Sequence, residues 1–329
     1  MPPPSLATLI TLLTPLFPSL ALVSAHSHLA HILINGQLYH GFDPRPNQPP
    51  NPPSHVGWST AATDDGFVSP TDYATSNITC HIRGTSPPAH APVRAGDRIH
   101  VQWNGWPVGH VGPVLSYLAR CESDTGCTGV RKEELRWTKI DDSRPVMELE
   151  GKGKGNGEGR GVPGQKWATD VLIAANNSWV VAVPRGLETG AYVLRHEIIA
   201  LHFAGRKGGA QNYPLCVNLF VEGLGDREGP EEGKFEMDAF DARWFYEEDD
   251  PGVLVNVTAG LKSYTVPGPT LAVGASPVPY AQQSPSVSRG EGTPVVVTRS
   301  TKTVPFTAFS GVTTPTMAAG IKGRYTRMH

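Results

Sequence analysis

The sequence has little excess charge of either sign: 28 Lys and Arg stand against 30 Asp and Glu, a net of −2 over 329 residues. A chain so balanced has no net positive charge with which to displace counterions, which argues against a nucleic-acid partner held by its phosphates. No apolar run beyond the first 25 residues could anchor the chain in a bilayer. The polar stretch Lys322 to His329 excludes a lipid-anchor tail. No internal repeat is visible. Cysteine is sparse, four residues with no zinc-site spacing, so disulfides outweigh metal thiolates. Four cysteines allow three pairings, and the sequence does not choose among them. Cys121 and Cys127 flank a short Glu-Ser-Asp-Thr-Gly turn that suits a local bridge, which would leave Cys80 and Cys216 to close a long loop.

What is abundant is the helix breaker. Gly (36) and Pro (31) together make roughly a fifth of the chain, well above average usage, which argues against a helical bundle and for short strands joined by turns. Period-2 runs recur. Arg98 to Trp103 puts Ile99, Val101 and Trp103 on one face; Trp179 to Val183 is stopped by Pro184; Val217, Leu219 and Val221 alternate with Asn218 and Phe220; Tyr192 to His202 is a long extended run without Gly or Pro. Such strands predict an all-β fold, a β-sandwich.

The first 25 residues carry no charge and run from Ser5-Leu6-Ala7-Thr8 past Pro15 and Pro18 to Val23-Ser24-Ala25. Too short and interrupted to span a membrane, they read as a secretory signal peptide, so the protein is expected outside the cell. Asn77, Asn176 and Asn256 each begin an Asn-x-Ser/Thr glycosylation acceptor. The expected organisation is a signal peptide at 1–25, a folded domain at 26–269 and a Ser/Thr/Pro-rich disordered tail at 270–329. The glycine-rich stretch 151–161 reads as a flexible surface loop.

Three places could carry chemistry. Cleavage after Ala25 makes His26 the N-terminal residue, offering an α-amine and an imidazole Nδ1 as a chelating pair. A further histidine would complete a near-planar all-nitrogen set of the kind Cu(II) prefers. With 12 histidines in the chain, a His beside the cleavage site also arises by accident. His110 sits in the Gly/Pro turn Trp106-Pro107-Val108-Gly109-His110-Val111-Gly112-Pro113, where a side chain projects to solvent or serves as an ordinary loop residue. The segment Leu194 to Cys216 contributes the rest. Strand alternation puts His196 and His202 on one face and Arg195 and Glu197 on the other, and Tyr213 before Pro214 is either structural or a weak axial oxygen donor.

These segments together resemble the fungal lytic polysaccharide monooxygenases of auxiliary activity family 9, formerly called glycoside hydrolase family 61. The matching stretches are His26 with Ile32-Leu33-Ile34-Asn35-Gly36, Trp58 to Asp64, Gly109 to Val114, Ile173 to Trp179, Leu194 to His202, Ala210 to Cys216 and Tyr264-Thr265-Val266-Pro267-Gly268-Pro269. They fall in the family's order across 26 to about 270. The resemblance implies an immunoglobulin- or fibronectin-like β-sandwich with long loops and a flat substrate face. It implies one copper ion held by the amine and Nδ1 of His26 and by His110, with Tyr213 axial. His202 and Gln211 would hydrogen-bond a bound oxygen species, Tyr264 would stack on the polysaccharide, and the disulfides would be Cys80–Cys216 and Cys121–Cys127. Cleavage after Ser27 would expose His28 instead, but the spacing to Asn35-Gly36 fits the family from His26.

The implied activity is copper-dependent oxidative cleavage of a β-1,4-linked polysaccharide, cellulose first, by hydroxylation at C1 and/or C4. It takes O2 or H2O2 as co-substrate and electrons from a small reductant or a secreted dehydrogenase, and the enzyme is expected to work as a monomer without nucleic-acid or membrane partners. Two rivals stand beside it. A glycoside hydrolase would use two carboxylates, with Glu197, Asp170 and Asp64 as candidates. A non-catalytic copper- or wall-binding protein would need the histidines but neither His202 nor Gln211.

Overall fold

A computed structural model of the chain describes residues 27–46, 50–143, 165–224, 235–278, 288–299 and 303–305. The expected signal peptide, His26 and the glycine-rich stretch 151–161 lie outside the described residues. The short β-prone runs pair into two five-stranded sheets. Along the chain the strands are β1 (Leu29–Ile34), β2 (Gln37–His40), β3 (Ala91–Arg94), β4 (Arg98–Trp103), β5 (Val114–Arg120), β6 (Thr138–Asp141), β7 (Ser178–Ala182), β8 (Gly190–Ala200), β9 (Gln211–Glu222) and β10 (Gly290–Glu291). The first sheet has the order β10-β2-β1-β4-β7 and the second β3-β9-β8-β5-β6. A two-stranded ribbon, β11 (Val295–Val297) and β12 (Thr303–Pro305), follows. The β-sandwich is thus as expected, and among the described residues no helix is long and apolar enough to cross a membrane.

The alternation read in the sequence decides what enters the space between the sheets. Ile99, Val101 and Trp103 of β4 point inward with Ile32 of β1 and Val181 of β7, against Leu194 and Ile198 of β8 and Val217 of β9. The second sheet is buried on its other face too. Leu115, Tyr117, Val193 and Ile199 lie there beneath long loops that supply Trp58, Trp137, Trp167 and Phe245. The buried ion pair on that face is well satisfied. Arg195 meets Glu197 at 2.7 Å with both side chains 0% exposed, and its guanidinium also donates to the carbonyls of Ile78 and Thr79. Those carbonyls belong to helix α1 (Asn77–Cys80), which the disulfide Cys80–Cys216 ties to β9. The second disulfide is Cys121–Cys127, so both implied pairings are present.

Two sequence expectations need correcting. The run from Tyr192 does not stay extended to His202. β8 ends at Ala200, paired with Gln211, and the next amide, Leu201 N–H, donates to Val111 O at 2.8 Å in another loop. Nor is the whole of 270–329 a free tail. β10 lies parallel to β2, Val295 and His90 exchange 2.9 Å hydrogen bonds, and Val296 and Val297 are buried. Three consecutive β-branched valines in a Ser/Thr/Pro-rich context supply the apolar surface that keeps this segment on the sandwich. Residues 279–287, 300–302 and 306–329 of that tail lie outside the described residues.

Candidate metal centre

Two loops meet at the end of the sandwich where β5 begins and β8 ends. One, residues 104–113, carries His110; the other, 201–210, joins β8 to β9 and carries His202. Glycine makes the approach possible. A Cβ on Gly112 would stand 1.8 Å from the Ile199 carbonyl oxygen, so only a residue without a side chain lets the first loop lie on the end of β8. Gly109 (φ +86°) turns the chain just before His110, and Trp106 Nε1–H donates to the His110 carbonyl at 2.9 Å.

The result is a cluster from distant parts of the sequence. The His110 and His202 rings lie 3.9 Å apart between centroids. Trp106 presents its ring edge-on to His110 (6.4 Å) and to Tyr213 (5.0 Å). On β9, Gln211 and Tyr213 share a face, and the Tyr213 hydroxyl donates to Gln211 Oε1 at 3.1 Å. Burial pushes the Tyr213 phenol up from its ordinary value, keeping it neutral. Partial burial, reinforced by His110, lowers His202 to about 4, so its ring is uncharged at neutral pH. His202 Nδ1 is buried without a hydrogen-bond partner among the described residues.

His196 does not join them. It faces the space between the sheets, its Nδ1 at 3.0 Å from Ser116 Oγ, and burial takes it down to about 3. Because the chain leaves the strand after Ala200, His202 does not share His196's face. Tyr264 is half-buried, its hydroxyl donating to Gly252 O at 2.6 Å and its ring edge-on to Trp167 at 5.0 Å; it packs on Trp167 rather than on His110, His202, Gln211 and Tyr213. Helix α2 (Ala168–Ala174) is itself linked to the site loop, since Gly112 N–H donates to Thr169 Oγ1. Of the glycosylation acceptors, Asn176 and Asn256 are exposed and Asn77 opens α1.

His28 is removed from contention as a terminal chelator. It is 4% exposed, its Nδ1 faces Asp65 Oδ1 at 3.0 Å, and its amide donates to Asn104 Oδ1 at 2.9 Å. Among the described residues no three His, Cys, Asp or Glu side chains form a metal-holding group. The donor set implied by the resemblance is of another kind, a main-chain amine, two imidazoles and a phenol, and His26 is not among the described residues. What is described fits such a set: His110 half-exposed at the surface, a neutral phenol beneath, and an unpartnered imidazole nitrogen on His202 beside it. Sequence reasoning missed Phe203, 53% exposed with its ring tilted against His202 at 4.3 Å, and Val108, 65% exposed two residues before His110. A large apolar residue amid Gly205-Arg206-Lys207-Gly208-Gly209 was the available signal.

The hydrolase reading fails on geometry. Glu197 is sealed under the loops, the Asp170 carboxylate accepts from Trp167 N–H at 2.8 Å in the first turn of α2, and Asp64 caps the turn at Gly66.

A sequence model of Auxiliary Activity family 9 (formerly GH61) matches residues 26–264. The AA9 family lytic polysaccharide monooxygenase A of Penicillium parvum is 43% identical over 267 residues, covering 80% of this chain and 98% of its own. The monooxygenase cel61A of Hypocrea jecorina is 44% identical over 264 residues, covering 80% of this chain and 70% of its own. Among solved structures, the extended catalytic domain of H. jecorina LPMO9A superposes with a TM-score of 0.66 at 39% identity, covering 81% of this chain and 98% of that one. The chain belongs to auxiliary activity family 9, the copper-dependent oxidoreductases that cleave polysaccharides oxidatively.

Proposed function

We propose that this chain is a secreted cellulose-cleaving monooxygenase whose copper would be held by the amine and Nδ1 of His26, exposed by cleavage after Ala25, by His110 and by the Tyr213 oxygen. Bound there, with electrons from a small reductant or a secreted dehydrogenase, copper would supply the activation of O2 or H2O2 needed to hydroxylate C1 and/or C4 of a β-1,4-glucan. The protein's own residues orient and shield. Gln211, its Oε1 engaged by the Tyr213 hydroxyl, keeps its amide N–H groups for an oxygen co-substrate, and His202 offers Nδ1 as a second hydrogen-bonding atom. Val108 and Phe203 flank the histidines as exposed apolar surface suited to the faces of sugar rings. Tyr264 would add a further aromatic contact.

The observation that carries this reading is the convergence of His110, His202, Gln211 and Tyr213 at one end of the sandwich. A protein that only stored or carried copper would not require His202 and Gln211 there. The test is copper-loaded protein on amorphous cellulose with ascorbate and low H2O2, with products read by mass spectrometry. Oxidised oligosaccharides that need both copper and reductant are expected, and their fragmentation separates C1 from C4 attack. Unoxidised products independent of both would make the protein a hydrolase; no products from cellulose or other β-glucans would leave the binding-only reading.

A further inference from the structure

The polar cluster where the described chain begins has no part in the chemistry above. Ser27, His28 and Asp65 are all buried. Asn104 Oδ1 accepts from Ser27 Oγ at 2.6 Å and from His28 N–H at 2.9 Å, and the Asn104 amide donates back to the His28 carbonyl at 3.1 Å. On the other side His28 Nδ1–H donates to Asp65 Oδ1 at 3.0 Å, and Asn104 Nδ2 approaches Asp65 Oδ2 at 3.5 Å. Withdrawing these groups from water is costly unless they satisfy one another. Apolar side chains would have filled the same space more simply.

What the cluster provides is placement. The β1–β4 ladder pairs Leu29 with Trp103 but shifts register before His31, so the regular sheet constrains the start of β1 poorly. Asn104 takes over. A single side chain and its own amide grip both the N–H and the C=O of residue 28, as a strand neighbour would. Asn104 opens the loop that carries His110, and that loop is braced by Trp106 N–H donating to Asn177 Oδ1 at 2.9 Å. The chain is therefore held to the His110 loop two residues after His26.

We infer that Asn104, His28 and Asp65 are positioning residues that fix the N-terminal chelate relative to His110, so that the ligand nitrogens meet one metal without rearrangement. This rests on the reading of His26 and His110 as copper ligands. Groups of this kind around metal ligands are worth about 10- to 100-fold in affinity.

The experiment uses the full mature protein, stripped of metal and titrated with Cu(II) by calorimetry, with the Cu(II) EPR spectrum recorded for each variant. Asn104→Ala is expected to weaken Cu(II) binding about 10-fold or more and to change the hyperfine splitting. Asp65→Asn, which keeps shape and an acceptor oxygen, should lose less than His28→Phe. Thermal unfolding of the metal-free variants confirms that they are folded. If Asn104→Ala does not fold, Ser27→Ala, which deletes one hydroxyl, should still alter the spectrum. Folded variants with wild-type affinity and spectrum, alongside an His110→Ala variant that has lost copper, would overturn the inference and leave the ligand assignment standing. Wild-type binding by His110→Ala would overturn both.

Discussion

Glu197, fully buried, meets four donors. Two come from the Arg195 guanidinium, at 2.7 and 3.0 Å, one from Asn212 Nδ2 at 2.9 Å, and one from the Tyr246 hydroxyl. Removing the charge leaves Arg195 buried and uncompensated, the costly way to break such a pair. Glu197→Gln is therefore expected to lower unfolding free energy by about 3 kcal/mol in denaturant titrations, while the Cu(II) EPR spectrum of the folded fraction stays that of the wild type. An unchanged stability would mean that the pair is replaceable. A carboxylate in this position serves the fold and not the reaction, which no spacing in Leu194-Arg195-His196-Glu197 could have told apart from a catalytic acid.

At the level of strands and loops, one glycine-dependent contact and two disulfides set the site's tolerance. Gly112→Ala would drive a methyl group into the Ile199 carbonyl. The loop must lift, moving His110 off His202, and overpacking of this kind costs about 1–3 kcal/mol. Expected outcomes are a lower melting temperature and weaker Cu(II) binding in the same variant. The disulfides should differ sharply. Cys80–Cys216 spans a separation of 136 residues and Cys121–Cys127 only 6. Loop-closure entropy then assigns about 5 and about 2 kcal/mol respectively, so Cys80→Ala with Cys216→Ala should lower stability to denaturant well beyond Cys121→Ala with Cys127→Ala. How much of this was legible follows from locality. β4 was readable from Ile99, Val101 and Trp103 because its intervening residues face outward, His100 and Gln102 being only partly buried. β8 and β9 show no such contrast, since their second face is covered by Trp58, Trp137 and Trp167, scattered through loops without period. The end of β8 was misplaced because the residue that captures Leu201 N–H, Val111, lies 90 positions away. The grip of Asn104 and Asp65 on His28 joins three segments and has no local signature at all, whereas His110, His202, Gln211 and Tyr213 were found through a resemblance that spans them together.

Taken whole, the molecule should be sensitive to acid. Burial lowers His81 and His90 to about 4 and His196 to about 3. The unfolded chain binds protons at these groups from about pH 6.5 downward while the folded one does not, so stability falls as pH drops from 6.5 towards 4. Asp141 acts in the opposite sense: burial raises it to about 6, and its contribution, full below its ordinary value near 4, is lost as pH rises through 6. Burial raises Asp170 as well and lowers His202 to about 4, so the lowered histidines still outnumber the raised carboxylates and leave a net loss on acidification. Urea midpoints of the metal-free protein should decline from pH 7 to pH 4, and His196→Phe should decline less steeply; a flat profile would contradict the histidine assignment.

The strand β10 and the valines of β11 cover one edge of each sheet, at β2 and just before β3. Synthesis runs from the N-terminus, so those edges exist long before the segment that covers them. Until residues 288–297 emerge, the nascent sandwich presents two unpaired strand edges, each a template for another copy. Stalled or prematurely terminated translation would thus yield chains that can still assemble the histidine cluster yet stick to one another, and yield of soluble protein, rather than chemistry, is where the loss would first be felt.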